Sequence, residues 1–229
     1  WLAETVSIDN PHYYQAFDAC YTWTWMHKTE DFYKKDHDLK VLENLLYQYN
    51  SAGRDQAVKL WFTTNHDENT WNGTEYEKYG DAAKALAVFS FTWDGIPLIY
   101  SGQELPNHKR LKFFDNDVIE WNGKYALQDF YHTLLNLHKN NPALRAGDAA
   151  VTTYMLHTNA DKNVIAYLRK NGDHEVLVLL NLSKDAVKCT VNDQYLTGRF
   201  MDVFNKVDAD FTNNKSFDMK PWEYLVYEK

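Results

Sequence analysis

At 229 residues and 26.9 kDa the chain has room for one large or two modest domains, and its formal charge of −8 with a pI near 5.6 argues against nucleic acid or an anionic membrane surface as partner. Two cysteines, Cys20 and Cys189, form neither a disulfide framework nor a metal-ligand spacing, and no stretch reaches the roughly 18 apolar residues of a membrane span. Aromatic residues make up 16% of the chain, so rings are expected at a surface or in a cleft where flat faces stack, an aromatic-rich core being the plainer alternative.

Trp1-Leu2-Ala3 is a short apolar stretch ended by Glu4, with no Met, basic region or apolar signal core, so the chain is expected to begin in mid-protein. Phe17 to Trp23 reads as a strand by its aromatic content, and Asp36 to Tyr49 predicts a helix with Leu39, Leu42, Leu45, Leu46 and Tyr49 on one face. Residues 59 to 64 predict the next strand, and the run from Leu60 ends abruptly in Asn65-His66-Asp67, three polar groups that a buried strand cannot bury. In parallel α/β proteins ligands bind at the carboxyl ends of strands, so an imidazole beside a carboxylate there marks a candidate site; a capping Asp with a packed His is an equal reading of that pair alone. Glu4 lies about 60 residues earlier, close to two strand–helix units, which would turn both acids toward one cavity.

Asp81 opens a helix of small residues from Ala82 to Thr92, Asp94-Gly95 turns the chain, and Ile96 to Tyr100 predicts a fourth strand ended by Ser101-Gly102-Gln103-Glu104. Tyr125 to Asn140 predicts an amphipathic helix stopped by Asn141-Pro142. The alternation of strand and helix implies a parallel sheet. After residue 143 the helical period disappears and short β-rich segments recur at Val164–Leu168, Glu175–Leu182, Ala186–Val191, Phe200–Phe204 and Glu223–Tyr227, separated by turns such as Asn171-Gly172-Asp173. That spacing predicts a small antiparallel sandwich.

Asn65-His66-Asp67 at a strand end, Gly95-Ile96-Pro97 with Tyr100-Ser101-Gly102-Gln103-Glu104 after it, and Ala3-Glu4 before it together resemble the C-terminal half of an α-amylase family glycoside hydrolase. The resemblance covers nearly the whole chain. It implies strands five to eight of a partial (β/α)8 barrel over residues 1–142, followed by a C-terminal antiparallel β-sandwich over 143–229, an α/β plus all-β architecture. It implies catalytic roles for Glu4, as general acid/base after the fifth strand, and for Asp67, as the carboxylate that stabilises the transition state after the seventh. His66 would bind a sugar hydroxyl beside it, with Asn65 and Trp71 as further substrate-binding residues, Trp71 as a stacking platform on the loop beyond Asp67. Retaining chemistry needs an acid that protonates the leaving oxygen, a nucleophile about 5 Å from it and groups that stabilise oxocarbenium character. Glu4 is expected to have its pKa raised by burial and neighbouring acids. Glu104 is expected to be a buried group holding the floor of the site, and Asp115 and Asp117 to lie in a solvated loop or a subsite.

In that family the nucleophilic Asp belongs to the first four barrel strands, which these 229 residues do not include. The expected function is therefore a fragment of a retaining hydrolase of starch-like or maltodextrin substrates, inactive alone, pairing with the missing barrel half or with itself through exposed strand edges. The alternatives are a transglycosylase or isomerase of the same family, or a non-catalytic carbohydrate-binding scaffold. No metal site is assigned in this chain, since the family's usual calcium ligands belong largely to the other half. Calcium remains an expectation for the complete protein, and a polysaccharide substrate favours an extracytoplasmic location.

Overall fold

A computed structural model describes residues 1–5, 8, 12–35, 38–51 and 57–229. They form two compact units, Trp1–Ser90 with Gly95–His132, and Phe91–Asp94 with Thr133–Lys229.

The first unit carries strands β1 (Leu2–Ala3), β2 (Ala19–Tyr21), β3 (Val58–Trp61) and β4 (Ile96–Pro97), paired in parallel in chain order. Between them lie helices α1 (His12–Ala16), α2 (Trp23–Lys35), α3 (Lys40–Ser51), α4 (His66–Trp71), α5 (Glu75–Tyr79) and α6 (Ala83–Thr92), the last of which ends in the second unit. A parallel sheet threaded by helices is the partial barrel that the alternation implied. β1 and β4 are its edge strands.

The strands are shorter than their apolar runs. Phe17–Trp23 contributes only three residues to β2, because Thr22 turns its backbone N–H and its hydroxyl to the Leu60 carbonyl, at 3.1 and 2.8 Å, and Trp23 starts α2. Trp25, Met26 and Thr29 then fall on the buried face at helical spacing, so packing overrides the strand preference of the aromatic residues. Trp25 stacks on Phe89 at 4.3 Å, and Trp61 meets Trp25, Tyr49 and Phe89 edge-on at 5.2–5.7 Å. The predicted α3 face is buried as its periodicity implied, at Leu42, Leu45, Leu46 and Tyr49; the predicted start at Asp36 lies outside the described residues. Gly95 turns the chain at φ +145° where β4 comes closest to β3: a Cβ there would stand 2.2 Å from the Lys59 carbonyl oxygen and 2.5 Å from the Trp61 indole nitrogen.

The second unit contains most of α7 (Gln128–Asn140) and eight strands: β5 (Thr152–Met155), β6 (Val164–Asn171), β7 (His174–Asn181), β8 (Val187–Thr190), β9 (Arg199–Asp202), β10 (Asp208–Asp210), β11 (Ser216–Met219) and β12 (Tyr224–Glu228). Six form one antiparallel sheet in the order β10-β9-β12-β7-β6-β5, and β11 pairs with β8 in a second. Leu168, Leu177 and Leu179 from the large sheet share a core with Cys189, Phe217 and Met219 from the small one, which makes the unit a sandwich. β6 is buried on both faces: Tyr167 bonds the Thr92 hydroxyl at 2.6 Å, and Arg169 is enclosed with Asp94 Oδ1 at 3.0 Å and Thr153 Oγ1 at 2.8 Å. Double burial is why β6 and β7 read as continuous apolar runs.

Candidate active site

β1 and β3 are separated by β2, and because the strands are parallel their carboxyl ends open on one side. Glu4 follows β1. Asn65 ends the segment after β3 and caps α4, its side-chain oxygen accepting from the backbone N–H of Asp67 at 3.1 Å and of Glu68 at 2.8 Å. The cap turns the chain so that the next two side chains leave the first turn of the helix toward Glu4. His66 Nε2 stands 3.5 Å from Glu4 Oε1 and 3.8 Å from Asp67 Oδ1, and one ligand atom from each of the three residues falls within 4.8 Å of the others. Glu4 and His66 are exposed and Asp67 is half-buried, so the burial expected around Glu4 is not supplied by the described residues.

Below them Tyr21 is buried against Phe62, edge-on at 5.2 Å, and stacks on the half-buried Trp23 at 5.7 Å. Burial pushes the Tyr21 hydroxyl pKa up, the Glu4 and Asp67 carboxylates push it further, and the Asn65 side chain acts the other way. One phenol that feels both acids confirms their convergence over the β2–β3 floor.

Asn65 is buried with its oxygen committed to the cap, so it acts by orienting His66 and Asp67. Trp71 closes α4 rather than lying on a loop, and it is 56% exposed. Asp115 is exposed, whereas Asp117 Oδ1 accepts from Lys109 Nζ at 2.5 Å within the chain between β4 and α7. Glu104 is half-buried and accepts only from the Gly102 N–H of its own turn, at 3.0 Å; the floor is held by its neighbour. The buried Gln103 amide donates to Glu75 Oε2 at 2.7 Å and lies 3.0 Å from Thr63 Oγ1 and 3.1 Å from the Tyr131 hydroxyl, while its oxygen accepts from Tyr100 N–H at 2.7 Å. Thr63 in turn donates to Glu75 Oε2 at 2.8 Å. This knot ties the end of β3 to α5, to the turn after β4 and to the start of α7. A second buried pair, Lys78 Nζ and Glu68 Oε2 at 3.5 Å with Asn72 Nδ2 at 2.9 Å from the same carboxylate, fixes α4 to α5. The sequence signal for these helices is the capping box Thr74-x-x-Glu77, which the structure forms in both directions.

Calcium takes six to eight oxygen ligands. Among the described residues the one cluster of three ligand-type groups is Glu4, His66 and Asp67, two carboxylates and an imidazole, and it does not fit that ion.

Solved α-amylase structures share this architecture. A noncanonic maltogenic alpha-amylase from Thermotoga neapolitana superposes with a TM-score of 0.82 at 20% identity, and an alpha-amylase from Lactobacillus plantarum with 0.78 at 19%; each covers 100% of this chain, which in turn covers 54% and 55% of them. The fold is thus that of the α-amylase barrel's second half with its β domain. The model of the alpha amylase catalytic domain matches residues 13–145 and that of the maltogenic amylase C-terminal domain matches 154–226, so the chain belongs to the alpha-amylase family. An alpha-amylase from Haloarcula japonica is 30% identical over 134 residues, and a cyclomaltodextrinase from a Bacillus species 31% over 104. The chain spans 19% and 18% of the length of these two relatives.

Proposed function

We propose that this chain supplies the acid/base side of a retaining α-glucan hydrolase, with starch-like or maltodextrin chains as substrate. The observation that carries the reading is the meeting of Glu4 and Asp67, delivered from two non-adjacent strands, with His66 between them. Glu4 protonates the glycosidic oxygen as the bond to the anomeric carbon breaks and a carboxylate nucleophile, supplied outside these residues, attaches to that carbon. In the second half Glu4, now ionised, takes a proton from the water that displaces the enzyme carboxylate. Asp67 and His66 hydrogen-bond hydroxyls of the same sugar ring, and they accelerate the step to the degree that these bonds strengthen as positive charge grows on it.

Replacing Glu4 by Gln in the full-length protein keeps the shape and removes the proton. Turnover of maltoheptaose is expected to fall by about a hundredfold or more, while the 229 residues alone release no reducing sugar. Normal turnover in Glu4→Gln rules out the acid role, and hydrolysis by the isolated chain rules out the need for a second barrel half.

A further inference from the structure

α4 has a second face. From the same short helix that presents His66 and Asp67, the Asn69 side chain grips the irregular chain between β4 and α7: its oxygen accepts from Leu111 N–H at 2.8 Å and its amide donates to the Lys109 carbonyl at 3.2 Å. Thr70 Oγ1 adds a bond to the Leu111 carbonyl at 2.6 Å, and Arg110 Nε bonds both oxygens of Glu77 on α5 at 2.9 and 3.1 Å. Asp117 folds the far side of the segment back, taking Lys109 Nζ on one oxygen and the Lys112 N–H, at 3.1 Å, on the other. The loop is therefore held at both ends of the dipeptide it carries, Phe113-Phe114.

Those two rings stand in the open, Phe113 42% and Phe114 85% exposed, and they meet Trp71 at 5.3 and 6.1 Å and each other at 4.9 Å. Phe113 also stacks on His66 at 6.5 Å, so the aromatic strip begins at the candidate site and runs outward from it. Leaving three large rings in water forfeits burial worth about 25 cal/mol per Å², and the seven hydrogen bonds just named maintain that exposure rather than relieve it. Lys112 and Asp115, an exposed pair 3.5 Å apart, put charged groups at the rim.

We propose that Trp71, Phe113 and Phe114 form a stacking subsite for a glucosyl unit further along the chain than the one at His66, with Asn69 and Thr70 as its positioning residues. The inference rests on the α-glucan reading of the Glu4–Asp67 site. An α-glucan is the occupant because the strip is continuous with that site, and because a pyranose offers apolar C–H faces to the rings with hydroxyls at its edge for Lys112 and Asp115. A pinned loop pays little ordering entropy on binding.

The test is calorimetric binding of S-linked maltoheptaose and S-linked maltotriose, which resist hydrolysis, to the full-length protein. Phe114→Ala is expected to weaken the heptasaccharide about threefold to tenfold and to leave the trisaccharide unchanged; its exposure means the fold does not depend on it. Asn69→Ala should give the same selective loss, together with a raised KM for long substrates at constant kcat. An unchanged heptasaccharide affinity in Phe114→Ala, or an equal loss for both sugars, overturns the subsite. Because binding is read without turnover, an active Glu4→Gln overturns the acid role alone, and a null Phe114→Ala beside an inactive Glu4→Gln overturns the subsite alone.

Discussion

Replacing Gln103 by Leu tests whether one buried amide holds the floor of the site. The change keeps the approximate volume and deletes both halves of the amide. Tyr100 N–H, 2.7 Å from the Gln103 oxygen, is left without its acceptor, and the Glu75 carboxyl loses a 2.7 Å donor and keeps the Thr63 hydroxyl. Each polar group stranded in the interior costs about 1–3 kcal/mol, so two of them cost about 2–5 kcal/mol. At about 2–4 °C per kcal/mol for a chain of this size, a loss near 4 kcal/mol lowers the melting temperature by about 8–16 °C. The assay is thermal unfolding followed by near-ultraviolet circular dichroism, which reports the Trp25–Trp61–Phe89 cluster of the same unit. A double-mutant cycle makes it specific: with Glu75→Leu in the background, Gln103→Leu strands one group fewer and should cost at least about 1 kcal/mol less. A melting shift under about 3 °C for the single variant, or strict additivity in the cycle, would refute the argument.

Two further outcomes follow from the same unit. Burial holds the Glu75 carboxyl above its ordinary value near 4.5, against the pull of the Thr63 and Gln103 hydrogen bonds. A raised folded-state pKa means the native protein binds the proton more tightly, so this group's contribution is present below that ordinary value and is lost as pH rises through the folded one. Glu75→Gln, which keeps an acceptor for both donors, should therefore gain stability relative to wild type as pH rises; a difference in melting temperature that stays constant from pH 4 to 8 excludes a titrating Glu75. Gly95→Ala places a methyl 2.2 Å from the Lys59 carbonyl at φ +145°, and it is expected to cost about 3 kcal/mol or more in urea unfolding. A loss under about 1 kcal/mol would mean that β4 can move away from β3.

Local pattern by itself determined the elements whose burial is one-sided or complete. The α3 face from Leu42 to Tyr49, the apolar runs of β6 and β7 and the turn at Asn171-Gly172 are legible because hydrophobic period and turn chemistry are properties of neighbouring residues. Polar residues after the apolar run at Leu60, with an acid two strand–helix units earlier, likewise pointed to a site at strand tips. What local pattern could not decide was set by partners distant in the chain. Trp23–Lys35 is helix rather than strand because Leu60 takes the Thr22 N–H and the core takes Trp25 and Met26. Gln103, indistinguishable in sequence from a solvated turn residue, is buried because Glu75, Thr63 and Tyr131 converge on it from three other segments. Phe113 and Phe114 read as part of a solvated loop until Asn69 and Thr70, about 40 residues earlier, are seen to fix that loop beside His66. Periodicity is short-range information; hydrogen-bond satisfaction in the interior is a long-range constraint, and only the folded chain shows which groups meet it together.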